Sequence, residues 1–519
     1  MDLTQTLRKA EELWPDKPAV FCGNRIFTYG QFAGRCRRLA RAMADMGIGA
    51  NDKVCIIHPN CHRFLEAYYA AALLGAVLVP VNIRLTPREM AYIAQDSEAR
   101  FLLADMEYEE AAHVIMKEAA GLNTCLIAGG REPDPYEEAL KGQPDGPLLL
   151  SGACDDHLAQ LYYTSGTTGR PKGVMLSHRN VYIHALMTVA ELHLTDADVW
   201  LHAAPLFHLA DAWATWAITW VGGTHVLARS FRPEEILRLM IDRGITITNM
   251  IPTMLNMLIN EPEATRQEYP SLRALLSGGA PIAPDVVRRV METFKCDYIQ
   301  TYGMTETSPY LTLSILKDHL KKLPSSRQFS FKAKTGRPTM AIDLKVVDQA
   351  GAEVPHDGQS VGEIVVRGDI VTRGYWKLPD ATAEAIRDGW LYTGDLATVD
   401  AEGFVNIVDR KKDMIITGGE NVYSTEVEYV LFKHPAVLEC AVIGVPHPKW
   451  GEAVHAFVVL KEGHKAAEED IIQFCKERMA HFKAPKSVEF KENLPKTGSN
   501  KIAKAQLRER WMSQSGEGT

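Results

Sequence analysis

Glycines, hydroxyl side chains and one lysine are concentrated between residues 162 and 174, which read Tyr-Tyr-Thr-Ser-Gly-Thr-Thr-Gly-Arg-Pro-Lys-Gly-Val. Glycine allows backbone N–H groups to converge on an anion, hydroxyls donate further hydrogen bonds, and lysine adds a mobile positive charge. An ordinary P-loop NTPase is disfavoured, because the Gly-Lys-Ser/Thr ending of a Walker A loop is missing. The composition predicts a polyphosphate-binding loop made of Thr164, Ser165, Gly166, Thr167, Thr168, Gly169 and Lys172.

A second chemically informative loop, Gln-Thr-Tyr-Gly-Met-Thr-Glu, covers residues 300–306 and follows a predicted strand. Tyr302 can stack on a purine, and Thr305 can donate a hydrogen bond to a phosphate. Glu306 can hold Mg²⁺, which prefers a carboxylate together with phosphate oxygens. The two loops together predict a site for a nucleotide with its Mg²⁺.

Hydrophobic periodicity predicts the elements that position these loops. Helical spacing alternates with short apolar runs, which indicates a largely parallel sheet with helices on its faces, so the fold class is α/β. The predicted helices cover residues 29–47, 63–74, 87–95, 233–243 and 284–294, and the predicted strands cover 54–57, 77–81, 101–103 and 245–248. Ligands bind at the carboxyl ends of strands in such sheets.

The pattern changes in the last third of the chain. Short strands at 343–347 and 362–367 indicate a β-rich subdomain, and the charge run 409–413 precedes a compact α+β segment. Thr425 and Glu428 have the spacing of a capping box at the start of a helix in that segment. The predicted organisation is an N-terminal domain of residues 1–411 and a small, mobile C-terminal domain of residues 412–519.

Composition excludes several classes of protein. The net charge of −8 over 519 residues argues against nucleic acid as a partner. The polar N-terminus and the absence of a long apolar run predict no signal peptide, no transmembrane segment and a cytoplasmic location. The nine cysteines are scattered without Cys-x-x-Cys pairs, so the only metal expected is the Mg²⁺ of the nucleotide.

The phosphate-binding loop closely resembles the signature of the acyl-adenylate-forming enzymes, the superfamily of acyl-CoA synthetases, luciferases and peptide-synthetase adenylation domains. Further segments match this family in the same order along the chain. Ser-Gly-Gly-Ala-Pro at 277–281 resembles the adenine-pocket segment, and Trp-Leu-Tyr-Thr-Gly-Asp at 390–395 resembles the ribose-binding segment. The resemblance implies nucleotide binding by Gly278, Gly279, Ala280, Tyr302, Gly303, Met304, Asp395 and Arg410.

Other matches imply roles for the two half-reactions of the family. His208, in Pro-Leu-Phe-His, would lie beside the carboxylate of the acid, and Lys501 would be the catalytic lysine of the C-terminal loop. Asn500 stands where the family usually has glycine, and asparagine tolerates left-handed backbone conformations well. The resemblance also implies rotation of the C-terminal domain about Lys412, which would present Gly418, Gly419 and Glu420 to the pantetheine of CoA.

The resemblance therefore implies an ATP-dependent acyl-CoA synthetase that uses ATP, Mg²⁺ and CoA on a carboxylic acid. Medium- to long-chain fatty acids are the first expected substrates, and aryl-propenoic or alicyclic acids are the second. Residues 210–220, with Trp213, are interpreted as a helix that forms either an acyl-tunnel wall or ordinary core. A luciferase-like oxygenase and a non-catalytic nucleotide-binding regulator are the alternatives, and a homodimer is left open as the assembly. Retention of Lys172, Glu306 and Lys501 together disfavours the regulator.

Overall fold

The computed structural model describes residues 1–130, 132–146, 152–165, 170–496 and 502–514. The chain divides into two compact units, Met1–Leu344 with Val366–Leu391, and Lys345–Val365 with Tyr392–Thr519. The α/β fold class is confirmed. The predicted boundary at residues 411 and 412 concerns rotation of a C-terminal domain, and it stays a prediction.

Two sheets form the framework of the first unit. The interior strand pairs of both sheets are parallel, as predicted, and antiparallel pairs occur only at their edges. In spatial order the six-stranded sheet contains Thr124–Ala128, Ala99–Asp105, Lys53–Ile57, Val77–Pro80, Leu158–Ser165 and Pro171–Ser177. The nine-stranded sheet contains Arg337–Pro338, Tyr310–Leu313, Asp297–Gly303, Ala274–Gly278, Ile247–Asn249, Val199–His202, Thr224–Leu227, Pro18–Cys22 and Arg25–Thr28.

Burial of both faces explains why these strands are continuous apolar runs rather than alternating ones. Val77–Pro80, for example, is buried at all four positions. The helix Tyr29–Asp45 covers a sheet with its apolar stripe, and a capping box of Thr28 and Gln31 fixes where that helix begins. Local sequence signals thus set the elements, and helix packing on both faces closes the core.

Two further five-stranded sheets occur later in the chain. The first contains Ile342–Val347, Gly362–Gly368, Trp390–Val399 and Ile386–Arg387, with Val405–Arg410 paired to the third of these strands. The second contains Glu420–Val422, Ile415–Thr417, Gly451–Leu460 and Val437–His447, with Ser487–Phe490 paired to the third. These strands confirm the predicted β-rich segment and the α+β segment that follows it.

Helices alternate with these strands along the chain. The α-helices of the described residues are Thr4–Leu13, Tyr29–Asp45, His62–Leu74, Pro87–Asp96, Glu109–Glu118, Pro135–Lys141, His178–Glu191, Leu209–Ala212, Ala214–Trp220, Pro233–Asp242, Pro252–Asn260, Pro284–Phe294, Ser325–Lys332, Pro379–Ala385, Ser424–Leu431, Glu468–Lys476 and Lys504–Gln514. Short 3₁₀ turns occur at Met106–Tyr108, Pro262–Thr265, Thr305–Thr307 and Leu320–Lys322. Over these described ranges, no helix combines the length and apolarity needed to cross a membrane.

The predicted capping box of Thr425 and Glu428 is wrong. The helix Ser424–Leu431 has Tyr423 at its N-cap, with no side-chain hydrogen bond there. Glu428 instead accepts hydrogen bonds from the amide of Val442 at 2.8 Å and pairs with Lys504 at 2.7 Å. A neighbouring strand and the C-terminal helix supply these partners, which local spacing does not reveal.

The single helix expected over residues 210–220 is also corrected. The structure has two short helices, Leu209–Ala212 and Ala214–Trp220, which meet at Trp213. The carbonyl of Ala210 accepts hydrogen bonds from three side chains, those of Trp213, Asn249 and Tyr310. Side-chain donors that compete for a helical carbonyl interrupt the regular backbone ladder.

Candidate active site

The predicted phosphate-binding loop joins the two strands of a hairpin. Leu158–Ser165 pairs antiparallel with Pro171–Ser177, and Thr164 lies directly opposite Lys172. Gly166, Thr167, Thr168 and Gly169 lie outside the described residues. The hairpin therefore places Thr164 and Lys172 together at one of its ends.

Tyr375 brings Lys172 and Glu306 together. The Lys172 ammonium lies over the Tyr375 ring, 5.3 Å from its centroid, and the Tyr375 hydroxyl donates to Glu306 Oε1 at 3.0 Å. Burial, and then the adjacent carboxylate, raise the pKa of Tyr375 well above its ordinary value, so the phenol keeps its proton for this bond. A protonated phenol thus links the cation and the carboxylate that were predicted to serve the phosphates and Mg²⁺.

Sequence reasoning missed Tyr375. The residue pairs with Val174 in an isolated antiparallel bridge, and the amide of Trp376 donates to the carbonyl of Gly173 at 2.7 Å. The available signal was Gly-Tyr-Trp at 374–376, a pair of aromatic residues after a glycine in a turn-rich segment. Nothing in that local signal indicates which hairpin the segment would lie against.

Two predicted nucleotide-binding segments lie side by side. The strand that ends at Gly278 runs parallel to the strand that ends at Gly303, with Gly278 opposite Thr301. A Cβ on Gly278 would lie 2.3 Å from Thr301 Oγ1, and a Cβ on Gly303 would lie 1.7 Å from the carbonyl oxygen of Pro309. Both positions therefore need glycine, because the backbone passes too close to its neighbours for any side chain.

The residues flanking these glycines complete this part of the site. Gln300 donates from Nε2 to the carbonyl of Ala280 at 3.0 Å, which ties the second loop to the segment containing Gly279. Tyr302 is half-buried. After Met304, the turn Thr305–Thr307 carries Glu306, which is only 8% exposed. The structure thus brings together the predicted residues 278–280 and 302–306.

The predicted ribose-binding pair lies within the second unit. Asp395 and Arg410 are direct partners on adjacent antiparallel strands, and Arg410 Nε lies 3.2 Å from Asp395 Oδ1. Asp395 is buried and Arg410 is exposed, so the arginine holds one oxygen of a fixed carboxylate. Such a carboxylate can accept hydrogen bonds from sugar hydroxyls.

The other predicted residues of the second unit are exposed or lie outside the described residues. Lys412 and Glu420 are exposed, and the turn of Gly418 and Gly419 is tied through the Gly418 amide to the carbonyl of Trp450. Lys501 and Asn500 lie outside the described residues. Lys496 and Ile502 pair across the two ends of that segment.

His208 lies at the N-cap of the helix Leu209–Ala212 and is half-buried. The adjacent Trp213 is 1% exposed, and its Nε1 donates to the carbonyl of Ala210 at 3.1 Å and to the hydroxyl of Tyr310 at 3.0 Å. The Trp213 ring also contacts the rings of Trp200, Tyr310 and His184, with centroids 4.9, 5.2 and 5.8 Å away. Trp213 is therefore held in one orientation close in sequence to residues 205–208, the predicted acid-binding segment.

Two family models match this chain. The family model "AMP-binding enzyme" matches residues 7–376, and the model "AMP-binding enzyme C-terminal domain" matches residues 426–501. The chain belongs to the AMP-binding enzyme family. This AMP-binding enzyme is an acid–thiol ligase of the acyl- and aryl-CoA class, for which ATP, Mg²⁺ and CoA are the cofactors and co-substrates.

Individual relatives of this AMP-binding enzyme cover nearly its whole length. A feruloyl-CoA synthase of Amycolatopsis sp is 38% identical over 96% of this chain and 96% of its own. A peroxisomal benzoate–CoA ligase of Arabidopsis thaliana is 34% identical over 97% of this chain and 92% of its own. The crystal structure of ATP-bound MatB from Rhodopseudomonas palustris has a TM-score of 0.88 at 30% identity, covering 98% of this chain and 99% of that one.

Mg²⁺ fits the residues of this AMP-binding enzyme. Glu306 offers a carboxylate, the type of ligand that Mg²⁺ prefers beside phosphate oxygens, and the Tyr375 hydroxyl fixes one of its oxygens. Bound with the nucleotide, Mg²⁺ supplies neutralisation of phosphate charge. The described residues contain no group of three or more His, Cys, Asp or Glu side chains able to hold a metal ion by themselves.

The stability of this AMP-binding enzyme against unfolding at low pH should depend on His184. Its Nε2 accepts a hydrogen bond from the amide of Tyr310, and burial lowers its pKa to about 3 from 6.5. Because the folded-state pKa is depressed, the unfolded chain binds the proton first, and stability falls as the pH drops below 6.5 toward 3. Lowering the pH from 6.5 to 4.5 should reduce the free energy of unfolding by about 2 kcal/mol through His184.

The variant His184→Gln keeps an acceptor for the Tyr310 amide but cannot become charged. Urea unfolding at pH 6.5 and 4.5 should show a smaller loss of stability in this variant than in the wild type. His113→Gln, which changes an exposed histidine, is the control and should follow the wild type. Equal losses in His184→Gln and the wild type would contradict a neutral, buried His184.

Proposed function

We propose that this enzyme is a CoA ligase for aryl-propenoic acids, the class to which ferulate and cinnamate belong. The carrying observation is the fixed orientation of Trp213, five residues after His208, and we take its ring as a rigid aromatic wall of the acid site. A rigid flat wall favours a planar acid of limited length over a long flexible chain. The similarity to a feruloyl-CoA synthase and to a trans-cinnamate:CoA ligase of Petunia hybrida, 33% identical over 97% of this chain, supports the same class.

In the first half-reaction, a carboxylate oxygen of the acid attacks the α-phosphorus of ATP. The bond from that phosphorus to the bridging oxygen breaks, pyrophosphate leaves, and an acyl-AMP remains. Lys172 and Glu306 serve the phosphates and the Mg²⁺, and Lys501 neutralises charge between the carboxylate and the α-phosphate. Positioned cations stabilise such transition states without forming covalent bonds themselves.

In the second half-reaction, the CoA sulfur attacks the acyl carbon, AMP leaves, and the thiol proton is released. We assign to Lys412 the pivot about which residues 412–519 rotate between the two steps. The turn of Gly418, Gly419 and Glu420 would then contact the pantetheine. His208 serves as a neighbour of the reacting carbonyl in both steps.

Medium- to long-chain fatty acids are the second candidate substrates. The fatty acid–[acyl-carrier-protein] ligase ScoC of Streptomyces coeruleorubidus is 35% identical over 99% of this chain and 97% of its own. This similarity supports fatty acids as a substrate class. A luciferase-like oxygenase is a third candidate, and it would be revealed by oxygen uptake. The cytoplasmic location and a homodimeric assembly stay predictions.

Pyrophosphate release over a panel of acids tests the proposal. The panel should contain ferulate, cinnamate, benzoate, octanoate, palmitate and an alicyclic acid, each assayed with ATP, Mg²⁺ and CoA. The highest kcat/KM is expected for an aryl-propenoic acid. Preference for palmitate would overturn the proposed acid class while leaving the ligase activity in place.

Trp213 should determine which acids are accepted. Trp213→Ala removes the aromatic wall, so preference should shift by about tenfold in kcat/KM toward bulkier or longer acids. Loss of the buried ring should also destabilise the protein by roughly 3–5 kcal/mol. The measurement is the acid profile of the variant against the wild type.

Trp216→Ala is the matched control for this prediction. Trp216 is equally buried and lies on the same segment, but its ring packs against Tyr68 and Tyr69. The Trp216→Ala variant should be less stable than the wild type but keep the same order of preferred acids. An unchanged acid profile in both variants would leave Trp213 as ordinary core.

A further inference from the structure

Four side chains form a continuous hydrogen-bonded chain beneath the predicted acid-binding segment. Thr219 Oγ1 lies 2.9 Å from His225 Nε2, His225 Nδ1 lies 3.0 Å from His202 Nε2, and His202 Nδ1 lies 2.7 Å from Asp211 Oδ2. All four residues are 0% exposed. We call this set the Asp211 chain.

Hydrogen-bond accounting gives the Asp211 chain one direction. Trp200 Nε1 can only donate, so Asp211 Oδ1 accepts at 3.2 Å. If Asp211 is ionised and both imidazoles are neutral, His202 donates from Nδ1 and accepts at Nε2 from His225. His225 then accepts at its own Nε2 from Thr219. Every bond is satisfied when both histidines carry the proton on Nδ1.

Burial supports the neutral state of His225 in this assignment. Removal from water lowers the pKa of His225 well below its ordinary value, so this imidazole is neutral at pH 7. Burial raises the pKa of Asp211, which opposes its ionisation, and the electrostatic effect of His202 and the hydrogen bonds from His202 and Trp200 counter that rise. An ionised carboxylate so deep in the protein needs donors on both oxygens, and Trp200 and His202 supply them.

The order of residues resembles a relay that activates a nucleophile, but the burial excludes that role. Thr219, at the position of the nucleophile, has no exposed surface. A substrate has no access to its hydroxyl in this arrangement. The Asp211 chain therefore acts through the segments it connects.

Two of these segments, Val199–His202 and Leu209–Ala212, flank His208 along the chain. Asp211 belongs to the helix Leu209–Ala212, and the amides of Asp211 and Ala212 both donate to the carbonyl of His208. His202 ends the strand Val199–His202, and His225 lies on the adjacent parallel strand. The Asp211 chain thus anchors the helix that follows His208 to two strands of the nine-stranded sheet.

The loop between His202 and His208 is anchored separately. Asn60 Nδ2 donates to the carbonyls of His202 and Ala204 at 3.2 and 2.8 Å, and Asn60 Oδ1 accepts from the amide of Leu206 at 2.8 Å. Tyr68 donates to the carbonyl of Leu206 at 2.9 Å. With Asn60 and Tyr68 on one side and Asp211 on the other, His208 is left little positional freedom.

We propose that Asp211, His202 and His225 are positioning residues that hold His208 and Ala210 in the geometry needed to bind the carboxylic acid. This inference rests on the proposed function, since it takes the acid to bind beside His208. A displaced segment would weaken acid binding and leave ATP binding intact, because the loops containing Lys172 and Glu306 are on other elements. Small displacements of positioning groups cost roughly ten- to hundredfold in rate.

The test uses two variants of the full-length enzyme. Asp211→Leu keeps a side chain of similar size but leaves the donors of Trp200 and His202 without an acceptor. The KM for the acid should rise about tenfold, and the KM for ATP should change by less than about twofold. Thr219→Val removes only the far end of the chain and should raise the acid KM by a smaller factor.

Two matched controls separate positioning from general loss of stability. Asp198→Asn changes a carboxylate that is 3% exposed, pairs with Arg273, and precedes the strand Val199–His202 at its opposite end. Thr188→Val changes a threonine that is 0% exposed and whose hydroxyl donates within its own helix, to the carbonyls of His184 and Ala185. Both should lower the unfolding temperature without raising the acid KM.

Nitrogen-15 NMR of enzyme labelled at its histidines measures directly which ring nitrogens of His202 and His225 carry a proton. In the wild type the protons that donate along the chain should lie on Nδ1 of His202 and His225, and in Asp211→Asn, whose amide can donate to His202, they should move to Nε2. An unchanged acid KM in Asp211→Leu would overturn the proposal. If the wild type activates no carboxylic acid, the proposed function fails, and the NMR spectra still report whether the chain exists.

Discussion

Lys501→Ala is expected to reduce adenylation by about 10³-fold while leaving thioester formation from supplied acyl-AMP nearly intact. Negative charge accumulates around the α-phosphate when the carboxylate attacks, and Lys501 is proposed to neutralise it. Once acyl-AMP exists, that task is complete, so the second half-reaction should not need the lysine. Adenylation is measured by ATP–pyrophosphate exchange, and thioester formation by product release from synthetic acyl-AMP and CoA.

The opposite loss is expected from Lys412→Pro. Proline fixes its own φ and restricts the preceding residue, which should block rotation at the proposed pivot. Adenylation should stay within about threefold of the wild type, and thioester formation should fall by roughly 10²-fold, since a conformational step would then limit it.

Two controls accompany these variants. Lys412→Ala removes the same side chain without restricting the backbone, so it should retain both activities. Lys491→Ala removes a lysine that pairs with Glu489 within the second unit. Equal loss of both half-reactions in Lys501→Ala and in Lys412→Pro would show that domain alternation does not operate, or that Lys412 is not its pivot.

Glu306→Gln is expected to reduce turnover by about 10²- to 10³-fold at limiting Mg²⁺. Glutamine keeps an acceptor for the Tyr375 hydroxyl, 3.0 Å from the carboxylate in the structure, so the local packing should survive. What it removes is the negative charge that attracts the ion. Turnover measured against Mg²⁺ concentration should show a higher Mg²⁺ requirement, partly restored at saturating Mg²⁺.

Glu384→Gln is the matched control for the Mg²⁺ assignment. Its carboxylate also acts electrostatically on Tyr375 but is exposed, and it belongs to no predicted site. The control should follow the Mg²⁺ dependence of the wild type. Wild-type turnover of Glu306→Gln at limiting Mg²⁺ would refute the assignment of Glu306 to the metal.

Tyr375→Phe examines the contact that links Glu306 to Lys172. The ring remains under the Lys172 ammonium, and only the hydroxyl is removed. A smaller rise in the Mg²⁺ requirement is expected than for Glu306→Gln, because the charge stays and only its orientation is loosened. The two variants thus separate the charge of the carboxylate from its position.

Local sequence determined the elements of this protein and indicated the residues proposed for its site. Short apolar runs and helical spacing reflect which sides of an element are buried, so they predicted the strands and helices to within a few residues. Glycine was predicted to be functional at positions 278 and 303, and the structure shows backbone too close at both for a side chain. Element types and glycine positions can both be recognised in short stretches of sequence.

Only the tertiary structure decided which distant groups meet. Tyr375 reaches Glu306 and Lys172 because its segment lies along the hairpin strand Pro171–Ser177, far away in sequence. Glu428 leaves its expected cap because Lys504 and the Val442 amide lie beside it in the folded unit. His202 meets His225 because their strands are neighbours. Strand order follows from burial summed over a whole sheet, so no local spacing reveals these partners.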